Sequence, residues 1–287
     1  MTDLTGKTAL VTGANTGLGF ETAKGLAQMG ARVILAGRDP EKVDGAIARL
    51  TAGQPDAVLE PGIVDLNSPA SVARFAGGIL GRRKRLDLLV NNAGVMVPPA
   101  GTTADGYETQ FGVNFLAHFA LTGHLFSLLA STFSARVVTL SSIGHRGATV
   151  DFDNFRLEKP YDPWREYGQS KLADLIFALE FDTRLRAAGA GIASLAAHPG
   201  VSATELTRNL GVTPDNVQFM TAADGAASTL MAATSQDAKS GQYFGPDGPG
   251  ETSGQPALAR IDPAARDAGV RSLLWDWAEA ATGLRFP

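Results

Sequence analysis

Residues 11–27 read VTGANTGLGFETAKGLA, an apolar run that passes through three glycines into a segment of helical spacing. The run begins near residue 7 and predicts a buried strand, so the glycines lie in a strand-to-helix turn. A backbone without Cβ lets a phosphate approach closely, and the first turn of a helix offers free N–H donors. Gly13, Gly17 and Gly19 follow the spacing GxxxGxG, which differs from the commoner GxGxxG fingerprint. Taken alone, this spacing fits a plain tight turn as well as a phosphate-binding one.

Strand-like and helix-like segments alternate along about the first 200 residues. The strand-like runs are apolar almost throughout, as is typical of strands covered by helices on both faces. The alternation predicts right-handed βαβ crossovers and one α/β domain, residues 1–287, built on a parallel sheet between helical layers. The predicted strands are 7–11, 32–36, 57–64, 86–90, 136–140 and 192–196, and the predicted helices are 18–29, 40–50, 68–80, 104–130, 162–186 and 222–233. Later residues predict a loop with a short helix at 201–219 and an irregular Gly- and Pro-rich tail at 241–254.

The composition excludes several classes of function. The 287 residues are 44% hydrophobic and 19% charged, and their net charge of −4 argues against nucleic-acid binding. The sequence contains no cysteine, which excludes disulfides and thiolate metal sites, and its four histidines show no metal-ligand spacing. The segment MTDLTGKTALVTGANTG has neither a signal-peptide pattern nor an apolar run of about 18 residues. We therefore expect a cytoplasmic protein without a metal site or a membrane span.

The end of the second predicted strand indicates which dinucleotide such a turn would bind. An acidic residue there would accept hydrogen bonds from the free 2′-hydroxyl of an adenosine ribose. The sequence has Gly37 at that place, followed by Arg38, whose guanidinium is suited to a 2′-phosphate. NADP(H) is therefore favoured over NAD(H). We interpret Asp39 as the N-cap of the helix that begins at Pro40, while its effect on a nearby phosphate stays open.

Six motifs follow one another along the chain: TGANTGLG at 12–19, NNAG at 91–94, Asn114, the serine pair 141–142, YGQSK at 167–171 and HPG at 198–200. Together they resemble the short-chain dehydrogenases/reductases, in the compact single-domain branch. Within that family the sequence is most similar to the retinol-dehydrogenase-like and protochlorophyllide-reductase-like subset. The resemblance covers about the first 205 residues. It implies a Rossmann-type doubly wound, mainly parallel sheet of about seven strands, in the order 3-2-1-4-5-6-7, with helices on both faces.

The resemblance also implies a reaction, hydride transfer between NADP(H) and an alcohol/carbonyl pair. Tyr167 would exchange a proton with the substrate oxygen, as general acid or base. Lys171, one helical turn later, would favour the phenolate and hold the nicotinamide ribose. Ser142 would hydrogen-bond the substrate oxygen, and Asn114 would complete a water-linked proton relay.

These residues also have interpretations that involve no chemistry. A tyrosine and a lysine four residues apart are common on solvated helices, and a serine at a strand end often serves a turn. A buried asparagine pairs with backbone, and Asn91 is as suited to tying strands as to contacting a ribose. Asp65 could begin a helix ahead of Ser68, and we interpret His198 as structural. The cofactor contacts implied by the family, besides Tyr167 and Lys171, are Gly13, Asn15, Thr16, Gly17, Leu18, Gly19, Arg38, Asp65, Leu66, Asn91, Ala93, Gly94, Pro199, Gly200, Val201 and Thr204.

The motifs do not identify the substrate. Segments near 144–166, 201–220 and 241–262 are expected to cover it, because loops beside a rigid sheet usually carry specificity. Their aromatic and charged residues indicate a partly apolar alcohol or carbonyl compound, and a retinoid, a steroid, a quinone and a small aldehyde are all compatible. A homo-oligomer also stays open. The rival function is a non-catalytic NADP(H)-binding regulatory protein, which could dispense with the catalytic side chains that this sequence retains.

Overall fold

A computed structural model describes residues 2–203 and 220–287 of the chain. An eight-stranded sheet forms its centre, in the order β3-β2-β1-β4-β5-β6-β7-β8. Strands β1 to β7 are parallel, and β8 runs antiparallel to β7. The predicted Rossmann-type sheet and its order are thus confirmed, with one further strand at the edge. The strands are β1 Thr8–Thr12, β2 Arg32–Gly37, β3 Leu59–Ile63, β4 Leu88–Asn91, β5 Arg136–Leu140, β6 Ala193–Ala197, β7 Tyr243–Pro246 and β8 Pro256–Leu258.

Side-chain caps begin several of the helices that cover the sheet. Asp39 accepts hydrogen bonds from the N–H groups of Glu41 and Lys42, and Asp162 caps α5 in the same way. A proline follows each of these caps, where its missing N–H costs nothing. The helices are α1 Gly17–Gln28, α2 Pro40–Gly53, α3 Pro69–Arg82, α4 Ala117–Ala130, α5 Pro163–Ala187, α6 Ala222–Thr234, α7 Pro263–Arg266 and α8 Ala268–Thr282, with a π-helical segment at Phe111–Leu116 and 3₁₀ turns at Ile143–His145 and Pro249–Glu251.

Each central strand sends alternate side chains into two separate cores. In β1, Leu10 belongs to one core and Ala9 and Val11 to the other, and all three are fully buried. Side chains of α3, α4, α5 and α8 complete the first core, and side chains of α1, α2 and α6 complete the second. Because both faces are covered, the two-residue alternation of a strand becomes a continuous apolar run in the sequence.

The helix predicted at 104–130 begins later, at Thr109, and its π-helical segment follows at Phe111. Thr102 forms an antiparallel bridge with Glu108 in the preceding loop. The Glu108 carboxylate then accepts hydrogen bonds from the N–H groups of Gln110 and Phe111, at 2.9 and 2.7 Å, and so begins the helix. The prediction of helix at 104–108 is wrong, because the spacing of apolar residues gives no sign of such side-chain bonds to the backbone.

The tail predicted as irregular at 241–254 contains β7, so that prediction is also wrong. Tyr243 and Phe244 of this strand are buried and pair with β6. A strand of four residues is too short for its alternation to be recognised among flanking glycines and prolines. Farther along, α8 brings Trp275 into the first core, where its ring stacks on Phe177 of α5.

Among the described residues, one helix, Phe111–Ala130, is long and apolar enough to cross a membrane by length and composition alone. In this fold 72% of its apolar window is buried against the protein itself. The core helices of folded domains pass the same test, so the finding is weak support for a membrane span.

Candidate active site

Four of the sequence motifs meet at one edge of the sheet. The glycine turn follows β1, NNAG begins at the end of β4, the serine pair follows β5 and HPG follows β6. Parallel strands present their carboxyl ends on the same side, and an open α/β sheet binds its ligands there, where the strand order reverses. In this sheet the reversal lies between β1 and β4, which places the glycine turn beside NNAG.

The glycine turn has a shape that only glycine fits. Gly13 and Gly17 have φ angles of +66° and +54°, and a Cβ on Gly19 would lie 2.3 Å from the Gly13 carbonyl oxygen. Thr16 precedes α1 without a side-chain cap bond in the described part of the chain, whereas α2, α3, α5 and α6 are all capped by side chains. The first N–H groups of α1 are therefore available to a phosphate, so the turn fits a dinucleotide. Asn15 and Leu18 lie half-buried in the same turn.

Asn92, which the sequence analysis did not single out, joins β1 to β4 under this turn. Its side-chain amide donates to the Thr12 carbonyl oxygen at 2.6 Å. The backbone N–H groups of Asn92 and Ala93 donate to Thr12 Oγ1 at 2.9 and 3.0 Å. Asn91 instead is buried within β4 and donates to Thr122 Oγ1 at 3.1 Å. These bonds favour the strand-tying interpretation of Asn91, and its cofactor contact stays a prediction.

His118 connects the glycine turn to the helix that carries Asn114. Its Nε2 lies 2.9 Å from Thr12 Oγ1, and its Nδ1 lies 2.7 Å from the Asn114 carbonyl oxygen. The Asn114 carbonyl oxygen can only accept, so Nδ1 carries the hydrogen of the neutral ring, and Nε2 accepts from the Thr12 hydroxyl, which also lies 3.3 Å from the Val90 carbonyl oxygen. Burial lowers the pKa of His118 to about 4, which agrees with a neutral ring.

Asn114 fastens the NNAG loop to α5. Its amide nitrogen donates to the Val95 carbonyl at 3.0 Å and to Ser170 Oγ at 2.9 Å, and its oxygen accepts from the Val95 N–H at 2.7 Å. A Cβ on Gly94 would lie 3.1 Å from Asn114 Oδ1 and 3.6 Å from Lys171 Nζ. Asn114 therefore pairs with backbone, as its structural interpretation requires, and it also lies close to Lys171.

Ser142 and Tyr167 both lie close to Gly144. A Cβ on Gly144 would be 3.4 Å from Ser142 Oγ and 3.1 Å from Tyr167 Cε1. Ser142 Oγ accepts the Gly144 N–H at 3.1 Å. Ser141 points elsewhere, because its hydroxyl donates to the Lys171 carbonyl oxygen at 2.7 Å. Ser142 is thus the member of the serine pair whose hydroxyl lies beside Gly144, as the Tyr167 ring also does.

Lys171 follows Tyr167 by one turn of α5 and is 4% exposed. Its ammonium donates to the Leu140 carbonyl oxygen at 3.0 Å and to Asp174 Oδ2 at 2.8 Å. Leu140 is the last residue of β5 and directly precedes the serine pair, so the bond holds the lysine at the carboxyl edge of the sheet. Sequence reasoning missed Asp174, although its place three residues after the lysine was a usable signal.

A family model described as short chain dehydrogenase matches residues 7–215. The chain belongs to the short-chain dehydrogenase family. Retinol dehydrogenase 12 of Mus musculus is 41% identical to it over 246 residues, which are 83% of this chain and 77% of that protein. Retinol dehydrogenase 13 of Homo sapiens is 38% identical over 296 residues, 98% of this chain and 86% of that protein. This short-chain dehydrogenase is therefore an NAD(P)-dependent oxidoreductase of the retinol-dehydrogenase-like subset, acting on CH–OH or C=O groups.

Solved structures agree with the short-chain dehydrogenase fold along the chain. An uncharacterised protein from Mycobacterium paratuberculosis is 38% identical, with a TM-score of 0.85, and the match covers 100% of this chain and 97% of that one. The NADP complex of RhlG from Pseudomonas aeruginosa is 26% identical, with a TM-score of 0.68 over 84% of this chain and 95% of that one.

In this short-chain dehydrogenase, Arg38 is exposed directly after β2, beside the glycine turn. The capping interpretation of Asp39 is confirmed, because one carboxylate oxygen accepts two N–H groups at the start of α2. A second guanidinium, that of Arg49 in α2, donates to the Asn15 carbonyl oxygen at 3.0 Å. Arg49 was not expected from the sequence, because α2 brings it to the turn only in the folded chain.

Asp65 and Leu66 follow β3, where the family places residues facing the adenine. Asp65 is half-buried and accepts the Asn67 N–H at 3.0 Å, while Leu66 is buried. Ser68, and not Asp65, caps α3 by accepting the Ser71 N–H. The expected adenine contact of Asp65 and Leu66 stays a prediction.

His198 holds the HPG loop against a segment from the C-terminal part of the chain. Its Nδ1 accepts the Gly200 N–H at 3.2 Å, so Nε2 carries the hydrogen and donates to Glu251 Oε2 at 3.0 Å. The same carboxylate oxygen accepts from the Arg146 guanidinium at 2.5 Å. Burial lowers the pKa of His198 to about 4, although Glu251 opposes this. The His198 ring is fully buried, neutral and hydrogen-bonded at both nitrogens, which supports its structural interpretation.

Pro199, Gly200 and Val201 lie directly after His198 at the carboxyl edge of the sheet. Gly200 has a φ of +63°, and a Cβ there would lie 2.4 Å from the Thr252 carbonyl oxygen. The Val201 N–H donates to that oxygen at 2.8 Å. The segment predicted at 241–262 therefore packs on this loop. Thr204 and most of the segment predicted at 201–220 lie outside the described residues.

Proposed function

We propose that this chain interconverts an alcohol and a carbonyl compound with NADP(H), and that Tyr167 exchanges the proton. The observation that carries the proposal is the arrangement around Gly144. The Ser142 hydroxyl and the Tyr167 ring lie within 3.4 and 3.1 Å of a Cβ built there. Lys171, one helical turn after Tyr167, holds an ammonium at the same edge of the sheet.

The chemistry follows from these three side chains. NADPH held at the glycine turn and by Lys171 would supply the hydride, with its electron pair, that reduces the carbonyl carbon, and would become NADP⁺. The C=O π bond breaks, and the oxygen takes the proton of the Tyr167 hydroxyl. Ser142 donates a hydrogen bond to that oxygen as negative charge develops on it. Lys171 favours the phenolate left behind, which regains a proton from solvent, and alcohol oxidation reverses these steps.

Preference for NADP(H) is inferred from the end of β2. Gly37 leaves no carboxylate to repel a 2′-phosphate, and the exposed Arg38 guanidinium follows it. The Asp39 carboxylate is occupied with the first N–H groups of α2, which reduces its effect on a phosphate. The NADP complex of RhlG supports the same cofactor by similarity.

We infer an apolar alcohol or aldehyde as the substrate. The similar retinol dehydrogenases are named for an apolar alcohol. Trp164 lies in the first turn of α5, three residues before Tyr167, is 57% exposed, and meets the Tyr167 ring edge-on at 6.4 Å. An exposed indole beside a proton-donating tyrosine is suited to an apolar molecule, because it offers apolar area at little cost in side-chain entropy.

The proposal is tested by NADPH oxidation over retinal, a steroid ketone, a quinone and small aldehydes, in parallel with the Tyr167→Phe protein. We expect Tyr167→Phe to bind NADPH normally and to lose at least about 100-fold in kcat, the usual size of an acid/base contribution. The matched control is Tyr107→Phe, which removes a phenol hydroxyl from a buried ring packed on Trp277.

Undiminished turnover by Tyr167→Phe would remove that residue as the proton donor. If the panel gives no turnover while NADPH still binds, the regulatory alternative gains weight. If retinal is the best substrate, the similarity to the retinol dehydrogenases extends to the substrate, and a preference for small aldehydes would contradict the apolar assignment.

A further inference from the structure

Asp174 lies on the same face of α5 as the two residues of the proposed chemistry. Tyr167, Lys171 and Asp174 are separated by four and three positions, which is the spacing of one helical stripe. The Lys171 and Asp174 side chains are 5% and 1% exposed, and their charged atoms are 2.8 Å apart. Lys171 therefore has the proposed proton donor one turn before it and a buried carboxylate one turn after it.

The hydrogen bonds of this pair are incomplete on both sides. A lysine ammonium has three N–H groups, and within the described residues Lys171 directs one to the Leu140 carbonyl and one to Asp174. The third N–H group is left for another acceptor. Gly94 leaves room beside the ammonium, since a Cβ on Gly94 would be 3.6 Å from Lys171 Nζ. Asp174 Oδ1 is buried and has no hydrogen-bond partner in the described part of the chain.

A contribution to the stability of the fold does not explain why the Asp174 carboxylate is buried here. A buried ion pair is often matched or exceeded by apolar residues of the same volume, and an unpaired buried oxygen adds a desolvation cost. Burial raises the pKa of the Asp174 carboxyl above its ordinary range, while Lys171 opposes that rise. The charged form of Asp174 is retained mainly by its contact with Lys171, so its role is to be found in that contact.

We propose that Asp174 is a positioning residue that holds the Lys171 ammonium at the end of β5 and weakens its positive field at the Tyr167 hydroxyl. The proposal rests on the proposed function of Tyr167. A carboxylate 2.8 Å from an ammonium turns a single charge into a dipole, whose field falls off more steeply with distance. The phenolate then gains less from Lys171 than it would from an uncompensated ammonium. This arrangement keeps the proton on Tyr167 and suits the reduction of a carbonyl.

Among the described residues, the other charged group at this stretch of α5 is Glu166, which precedes Tyr167 and is paired with Arg165 at 2.5 Å, and the remaining titratable groups nearby are neutral near pH 7. His118 of α4 and His145 of the 3₁₀ turn are neutral, because burial lowers the pKa of both rings. Burial raises the pKa of Tyr243 in β7, so this phenol is also neutral. The charged groups that α7 and α8 bring to α5 lie farther along the helix, where Arg271 pairs with Glu180.

The experiment compares the pH dependence of kcat/KM for the wild type, Asp174→Asn and Asp174→Ala, in one direction of the reaction. Asparagine keeps an oxygen that can accept from Lys171 but removes the negative charge, and alanine removes both. We expect the half-maximal pH of kcat/KM to move down by up to about one unit in both variants, because loss of the carboxylate leaves a stronger positive field from Lys171 at the Tyr167 hydroxyl. We expect Asp174→Ala alone to weaken NADPH binding, because Lys171 then loses a bond that positions it.

The matched control is Asp182→Asn, which removes a carboxylate paired with Arg186 on the same helix, away from Lys171. Its profile should coincide with that of the wild type. A folded Asp174→Asn protein with an unshifted profile, or with an equal loss at every pH, would overturn the proposal. So would the failure of both variants to fold, because the proposal requires Asp174 to be dispensable for the fold. Failure of the proposed function is distinguished by Tyr167→Phe, whose undiminished turnover would remove the proton donor itself.

Discussion

Gly19 lies so close to Gly13 that a Cβ on Gly19 would come within 2.3 Å of the Gly13 carbonyl oxygen and 2.5 Å of Asn92 Nδ2. Neither neighbour can move freely. Gly13 has a left-handed backbone, and the Asn92 amide is bonded to the Thr12 carbonyl at 2.6 Å. The start of α1, the end of β1 and the NNAG loop therefore meet at one point without room for a methyl group.

Gly19→Ala is expected to displace the glycine turn and to weaken NADPH binding at least tenfold, measured by fluorescence titration. The control is Gly77→Ala, in the exposed interior of α3, where a Cβ would meet nothing within 4 Å. That substitution should raise the free energy of unfolding by about 0.5–1 kcal/mol, as alanine usually does in a helix. Normal cofactor affinity in Gly19→Ala would contradict the assignment of this turn to the phosphates.

Arg38→Ala is expected to remove most of the preference for NADPH over NADH. The guanidinium should contact only the 2′-phosphate, so the Kd of NADPH should rise about tenfold or more while that of NADH changes little. Arg74→Ala, which removes an exposed arginine from α3, serves as the control for net charge. Equal affinities for NADPH and NADH in the wild type, or a preference that survives in Arg38→Ala, would refute the role of Arg38.

His118→Gln is expected to reduce the loss of unfolding free energy between pH 7 and pH 5. The folded pKa of His118 is about 4, below its ordinary 6.5, so the unfolded chain takes up a proton between these values and the folded chain does not. The wild type should thus lose up to about 2 kcal/mol of stability from this ring between pH 7 and pH 5. Urea unfolding at both pH values measures this loss, and His124→Gln on the same helix is the control. If the wild type and His118→Gln lost equal free energy of unfolding between pH 7 and pH 5, a buried neutral His118 ring would be contradicted.

Glu251→Gln is expected to destabilise the fold by about 1–3 kcal/mol at pH 7, because Arg146 and His198 lose a charged acceptor. Burial tends to raise the pKa of Glu251, but bonds from the Arg260 N–H, His198 and Arg146 lower it below its ordinary 4.5. Its contribution to stability is therefore present above about pH 4.5 and is lost as the pH falls through the folded pKa. Thermal unfolding at pH 7 and pH 4 should show that the difference in stability between Glu251→Gln and the wild type is smaller at pH 4. The control Asp44→Asn should differ from the wild type at neither pH.

Much of the fold could be predicted because its signals are local. The glycine turn, the apolar strands and the caps at Asp39 and Asp162 each occupy a few consecutive residues. The strands β1 to β6 were placed to within about two residues at each end. The loop that ends at Glu108 and the strand β7 were missed for a physical reason. The first depends on the Glu108 carboxylate bonding to backbone, and the second on pairing with β6, so neither has a periodic pattern of its own.

The sequence by itself indicated the family, and through that resemblance it predicted the order of the strands and the residues of the proposed chemistry, because those residues lie in short motifs with fixed spacing. Only the tertiary structure decided that Asn92 reaches β1 while Asn91 is bonded to Thr122 and Thr139. It also decided that His118 bonds to Thr12 and that Lys171 shares its ammonium between β5 and Asp174. A side-chain hydrogen bond depends on which atoms the fold brings within about 3 Å, and partners such as Thr12 and His118, 106 residues apart, have no spacing that a sequence could display.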